Sequence, residues 1–168
     1  MGKLVQVATN TVSSAVASVT LTGIDSDDVY MVAFNNVQPS TDIVNLTARF
    51  TVSGSPDTSS NYDRAMKELR ANTTFGNYSG TNQSAMFLDG AGTGTSELVN
   101  GIAFIYNSNN SSEYTFITFE NTGRDFDGHN KGRQGGFVLT VAQATDGIQF
   151  YFGSGNIASG TFTLYKVL

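Results

Sequence analysis

Ile43-Val44-Asn45-Leu46-Thr47-Ala48-Arg49-Phe50-Thr51-Val52 is the stretch that decides the fold class. Val44, Leu46, Ala48, Phe50 and Val52 fall on one side of an extended chain, and Asn45, Thr47, Arg49 and Thr51 on the other. Successive side chains of a strand point to opposite faces, so this period of two predicts a half-buried strand with one solvated face. The alternation recurs outward in both directions. Upstream, Ala17, Val19 and Leu21 alternate with Val16, Ser18, Thr20 and Thr22, and Val29, Met31 and Ala33 with Tyr30, Val32 and Phe34. Leu4, Val5 and Val7 open the chain with a shorter run. Downstream, Tyr114, Phe116 and Thr118 alternate with Thr115, Ile117 and Phe119. Shorter strands are predicted at 84–88, 101–106, 136–142, 148–152 and 161–167. Turns of Gly, Asn, Ser and Asp separate these runs every ~8–12 residues, with no helical stretch of roughly 10–15 residues between them, which excludes βαβ units.

Two stretches depart from this pattern. Ser53 to Asn61 is rich in turn residues. In 62–70, Tyr62, Ala65, Met66 and Leu69 stand at helical spacing, and Asn61 to Asp63 offers a helix start. A strand would place Ala65, Lys67 and Leu69 on one face. The local pattern favours a helix and the all-β context a strand; both stay open. Residues 72–100 read mostly as loop. The prediction is a single all-β domain over 1–168, an antiparallel β-sandwich of jelly-roll type. It has ten or eleven strands, at most one short helix, and a short N-terminal arm at about 1–12.

Composition narrows the function classes. The chain has 168 residues and 17.9 kDa, of which 14% are charged, against an ordinary share of about 25%. Gly, Ser, Thr and Asn supply 70 of the 168 residues, so the surface is polar but largely uncharged. A net charge of -5 and a pI near 4.6 exclude a basic nucleic-acid binder. No run approaches the ~18 apolar residues of a membrane helix. With no Cys, disulfides and thiolate metal sites are excluded. The first residues, Met1 to Val7, hold no apolar core of a signal peptide, and Gln6 stands where a myristoylation motif expects Ser or Thr. The N-x-S/T triplets at Asn45, Asn72, Asn77, Asn82, Asn109 and Asn110 follow from the composition rather than from glycosylation.

Side chains able to do chemistry are few. His129, the single His, sits in Arg124-Asp125-Phe126-Asp127-Gly128-His129-Asn130-Lys131 and reads as a solvated loop residue; no G-x-S-x-G elbow accompanies it. Asp125, Asp127 and Asn130, and separately Asp25, Asp27 and Asp28, offer the hard oxygens that Ca²⁺ takes. The spacing is not that of an EF-hand, and Asp in turns ordinarily accepts local backbone hydrogen bonds. Glu68, Glu97, Glu113 and Glu120 form no facing pair of the kind a glycosidase needs. Gly90-Ala91-Gly92-Thr93-Gly94 resembles a phosphate loop but lacks its Lys and its helix, so it reads as a hairpin tip. Arg64, Lys67 and Arg70 would share a face of a helix; these and the pair Lys131 and Arg133 read as solvated or locally paired. There is no Trp to stack on a sugar. Tyr30, Tyr106, Tyr114, Tyr151 and Tyr165 fall in strand patterns, which leaves Tyr78 as the best loop substitute. No catalytic residue, metal ligand or cofactor is assigned, and the expectation is a protein that is not an enzyme.

The closing segment, Thr145-Asp146-Gly147-Ile148-Gln149-Phe150-Tyr151-Phe152 through Gly155-Asn156-Ile157 to Gly160-Thr161-Phe162-Thr163-Leu164-Tyr165, resembles the last hairpin of small jelly-roll virion proteins of tailed, especially marine, bacteriophages. Ala17 to Ile24 with Asp28-Val29-Tyr30, and Phe50 to Ser55 leading to Asn61-Tyr62-Asp63, resemble the same family. The resemblance implies that Tyr62 begins a strand. It also implies a virion component made in the host cytoplasm and displayed as a homo-oligomer, with a trimer expected. Such domains serve as capsid decoration, docked on the major capsid protein, or as the receptor- or glycan-binding tip of a tail or head fibre. No coiled coil or anchor precedes the first strand here, so the expectation is a decoration protein that docks through its own faces or its N-terminal arm.

Overall fold

The structure, a computed structural model, describes residues 2–168. Its strands are β1 (Leu4–Val12), β2 (Ser18–Thr22), β3 (Tyr30–Pro39), β4 (Val44–Val52), β5 (Ser55–Pro56), β6 (Tyr62–Arg70) and β7 (Gly76–Gln83) in the first half. The second half holds β8 (Met86–Ala91), β9 (Val99–Tyr106), β10 (Thr115–Arg124), β11 (Asn130–Leu139), β12 (Gly147–Phe152) and β13 (Ile157–Val167). Among the described residues there is no helix. One sheet has eight strands in the order β1-β13-β3-β9-β10-β11-β6-β7. The other has five, ordered β2-β12-β4-β5, with β8 also on β4. The result is an antiparallel, sandwich-like all-β fold.

Four pairings are nested along the chain: β1 with β13, β2 with β12, β3 with β9, and β4 with β8. That pattern is one long hairpin rolled up, its strands stepping between the two sheets. Two insertions widen the larger sheet past β9: β10 and β11 pair with each other, and β6 and β7 pair in turn beyond β11. The β3-β4 and β12-β13 turns lock together. Ser40 N donates to Asn156 O and Asn156 N donates to Ser40 Oγ, each at 2.8 Å. Gly155 sits there at φ +70, and a Cβ would run into the Thr41 side chain, so both conformation and space require Gly.

The period of two selects the core on β2 and β4 as predicted, and on β3, where both faces are apolar in the sequence, the structure chooses the Tyr30 face. Val19 and Leu21 of β2, Leu46, Ala48 and Phe50 of β4, and Tyr30, Val32 and Phe34 of β3 are buried. Phe150 is the centre of an aromatic stack, with ring centroids 6.1 Å from Phe34 and 5.0 Å from Phe162. Tyr62 lies beside Phe50, donates to Asp57 O at 3.3 Å and accepts from Phe50 N at 3.1 Å.

Several expectations are corrected. Tyr62–Arg70 is a strand, as the resemblance implied, and its helical stripe is divided: Tyr62 and Met66 are buried, while Ala65 is exposed. Nine residues pair with β11, from Arg70 opposite Lys131 to Tyr62 opposite Leu139, and that ladder overrides the local helical spacing. Residues 72–100 are not mostly loop: β8 overlaps the strand expected at 84–88, and β7 lies there as well. The β7 sequence GNYSGTNQ is an edge strand with little to bury, so it carries no apolar period. With β5 and β7 added, the strands number thirteen rather than ten or eleven. Of the expected arm at 1–12, Met1 lies outside the described residues, and Leu4–Val12 is paired along its length with β13. It is an edge strand.

Candidate functional site

At one end of the space beneath β6, β8, β10 and β11, charge takes the place of hydrocarbon between the sheets. Glu68, Asp89, Asp125, Lys131 and Arg133 are all buried, and Arg70 stands at their rim. Strand alternation explains their position: Glu68 and Arg70 share the inward face of β6 with Tyr62 and Met66, and Lys131 and Arg133 share that of β11 with Phe137 and Leu139. Asp89 comes from β8, so it crosses from the smaller sheet. Arg133 donates through Nη2 and Nε (2.7 Å) to Glu68 Oε2. Arg70 Nε reaches Glu68 Oε1 at 2.6 Å and its Nη1 reaches Asp125 Oδ2 at 2.9 Å. Lys131 Nζ stands 3.2 Å from Asp89 Oδ1 and 3.5 Å from Asp125 Oδ1. The Arg133 guanidinium lies 4.2 Å from the Phe87 ring centre and 5.0 Å from that of Tyr78, a cation between two aromatic faces.

Three carboxylates face three cations, so the cluster is neutral and cations already occupy the places a metal would take. Burial pushes the Asp89 carboxyl up, only partly offset by Lys131 and Arg133. Burial also acts on Glu68, but the hydrogen bonds from Arg70 and Arg133 outweigh it and hold its carboxyl below the ordinary range. Asp89 Oδ2 and Arg133 Nη1 remain buried without a hydrogen-bond partner. The arrangement cross-links the inserted strands to β8.

The opposite, outward face of the eight-stranded sheet is a second feature. Cross-strand neighbours form rows there, one running Tyr165, Met31, Phe104, Thr118, Gly136, Ala65 and the next Thr163, Ala33, Ile102, Glu120, Gln134, Lys67. Phe116 is exposed on the same face, and Met31, Ile102, Phe104, Tyr106 and Tyr165 are half-buried. Beside the second row a groove of about 680 Å³ crosses β3, β9, β10, β11 and β6. Ala33, Ile102 and Leu69 give it apolar surface, and Asn35, Asn100, Glu120, Thr122 and Gln134 give it polar groups.

Of the residues singled out in the sequence, Glu68, Arg70, Asp125, Lys131 and Arg133 meet in the buried cluster, and the others do not converge. His129 is exposed at a turn where its carbonyl accepts from Asp125 N. Asp125 is buried among cations, whereas Asp127 is exposed and Asn130 accepts from Thr122. In the other acidic turn, Lys166 Nζ lies 2.8 Å from Asp28 and 3.6 Å from Asp25, while Asp27 accepts from Asn110. The Tyr30 hydroxyl and then Lys166 hold the Asp25 carboxyl low; the Lys166 ammonium and Ser26 do so for Asp28. Among the described residues no group of three or more His, Asp or Glu is arranged to hold a metal. The Thr93 and Gly94 amides are taken by the chain's own carboxylates: Thr93 N donates to Asp42 at 3.0 Å and Gly94 N to Glu97 at 2.9 Å.

As a strand, β6 sends Lys67 outward, away from Arg64 and Arg70. Lys131 and Arg133 are paired, and buried rather than solvated. Tyr78 lies on β7 rather than in a loop. Of the tyrosines read as strand residues, Tyr30 is core, Tyr114 is exposed just before β10, and the other three are half-buried. The sequence reading missed Asp89 altogether and did not connect Glu68 to Arg133. Alternation on β11, with Lys131 and Arg133 in phase with Phe137 and Leu139, is the signal that could have found them. No family model and no curated protein matches the chain.

Proposed function

We propose that this chain is a bacteriophage virion surface structural protein, a capsid decoration protein that docks as a homo-oligomer on the major capsid protein. The observation that carries the reading is the outward face of the eight-stranded sheet. It is broad, sparsely charged and studded with Met31, Ile102, Phe104 and Phe116. Apolar side chains gathered partly exposed on one face, as these are, mark a protein–protein contact. The nested strand pairs support a jelly-roll assignment, with β10-β11 and β6-β7 as insertions into an eight-strand frame. The motifs that resemble phage virion proteins fall on β2, β4, β6, β12 and β13. The trimer implied by that resemblance is part of the proposal.

The test is the copy number of this chain in purified virions, measured by quantitative mass spectrometry against the major capsid protein. Hundreds of copies per particle are expected. A handful or a few tens would move the chain to a tail or fibre and overturn the capsid assignment; absence would end the virion reading.

A further inference from the structure

We propose that the groove crossing β3, β9, β10, β11 and β6 is a binding site for a neutral oligosaccharide. The volume of about 680 Å³ lies within the ~300–1,000 Å³ of small-ligand sites. Its length runs across five strands, which suits a chain of sugars rather than a compact ligand. Sugar rings present apolar C–H faces and paired hydroxyls. The groove offers the complement of both: Ala33, Ile102 and Leu69 for the faces, and Asn35, Glu120 and Gln134 for the hydroxyls. Amide and carboxylate groups are planar and can donate to or accept from two neighbouring hydroxyls at once.

These polar groups are free to do so. Asn100 accepts from Asn36 N, and Thr122 donates to Lys131 O. Asn35, Glu120 and Gln134 have no side-chain hydrogen bond to any described residue, and all three are exposed. Charge selects against other ligands. Arg133 contributes to the lining, but its guanidinium is turned inward and bound to Glu68. Among the lining residues Glu120 is then the one charge offered to a ligand, with Lys67 beyond Gln134 at the end of the row, so the groove itself presents no cation to phosphate, sulfate or an acidic sugar. The inference does not rest on the virion reading: Ile102 belongs to both surfaces, so the groove takes its ligand where this face is open and is covered in a copy docked through it.

The test is an array of neutral and acidic oligosaccharides built on glucose, galactose, mannose and N-acetylglucosamine, probed with the full chain. The strongest binder is then titrated into ¹⁵N-labelled protein. Binding to a neutral member is expected, with amide shifts centred on Ile102, Glu120 and Gln134. Asn35→Ala and Gln134→Ala should each weaken it about five- to tenfold, the loss of one hydrogen bond. Both residues are exposed, so neither variant should unfold the protein. Three results would overturn the proposal: no binding across the array, preference for acidic members, or shifts elsewhere with the variants unaffected. A change of assembly mass in Gln134→Ala without sugar binding would also overturn it, because a second copy of the chain would then be the occupant. Virion copy number is read independently, so this proposal and the decoration reading can fail separately.

Discussion

Two regions of the same inter-sheet space are filled by opposite means. Under β3, β13 and β12, Phe34, Phe150 and Phe162 stack with no polar atom to satisfy. Under β6, β8 and β11, Glu68, Asp89, Asp125, Lys131 and Arg133 are buried to a similar degree. The first region belongs to the rolled hairpin and the second to its insertions. Hydrophobic packing is non-directional, so it tolerates small shifts of one sheet over the other. A buried ion pair repays its desolvation only at good geometry. The ionic end therefore contributes less net stability per residue, but it specifies where the added strands sit.

Single substitutions should cost much the same in both regions, and a compensating second substitution should separate them. Phe150→Ala deletes the ring at the centre of the stack, and truncations of this kind cost about 3–5 kcal/mol. Arg133→Met removes the cation that Glu68 and Asp89 share and leaves three buried carboxylates to Arg70 and Lys131, so one negative charge is uncompensated, a loss of about 3–5 kcal/mol. Adding Glu68→Leu to Arg133→Met removes the stranded charge and keeps the cluster neutral, so most of that loss should return. Urea unfolding of the two singles and the double gives the coupling directly. If the double is as unstable as Arg133→Met alone, the ionic end is held by packing, and the contrast with the aromatic end disappears.

Acid titration sharpens the same comparison. Glu68 is held low in the folded state, so the stability it contributes is present above the ordinary carboxylate range and is lost as pH falls through its folded value. Asp89 is pushed up, so its sign is opposite: its ionised form costs stability, and that cost is relieved as pH falls through its raised value. The acid-side decline in stability should therefore be shallower than wild type in Glu68→Gln and steeper in Asp89→Asn. Unfolding midpoints measured between about pH 2 and pH 6 would show it. Parallel curves for all three proteins would mean that neither carboxyl is perturbed as described.

The two regions also differ in how far they could be read from the sequence. Alternation in β2, β3, β4 and β10 revealed the strands, and in β2 and β4 the buried face as well, because apolar residues there have one reason to point inward. On β6 the same inward positions hold Tyr62, Arg64, Met66, Glu68 and Arg70. A charge is locally indistinguishable from a solvated residue, so the helical spacing of Tyr62, Ala65, Met66 and Leu69 could compete. What makes Glu68 a core residue is Arg133, 65 positions away, and only the β6-β11 register brings the two together. The groove was hidden for the same reason. Asn35, Asn100, Glu120 and Gln134 lie on four strands, and each alone reads as ordinary solvated surface.

The smallest effect is expected where ions pair in the open. Lys166 Nζ sits 2.8 Å from Asp28 Oδ2 and donates to Ser26 at the same distance, a closer approach to its carboxylate than Lys131 makes to Asp89. Geometry alone would rank the Lys166 pair above the buried one. Asp28 and Asp25 are solvated, however, and water and salt screen an exposed pair while the side chains lose freedom by forming it. Lys166→Met should leave the unfolding midpoint unchanged within experimental error at physiological salt, and any difference from wild type should shrink as NaCl is raised. The loss in Arg133→Met, by contrast, should persist in high salt because its partners are shielded from the added ions. A Lys166→Met loss as large as that of Arg133→Met, and equally resistant to salt, would show that distance rather than burial sets what an ion pair is worth in this fold.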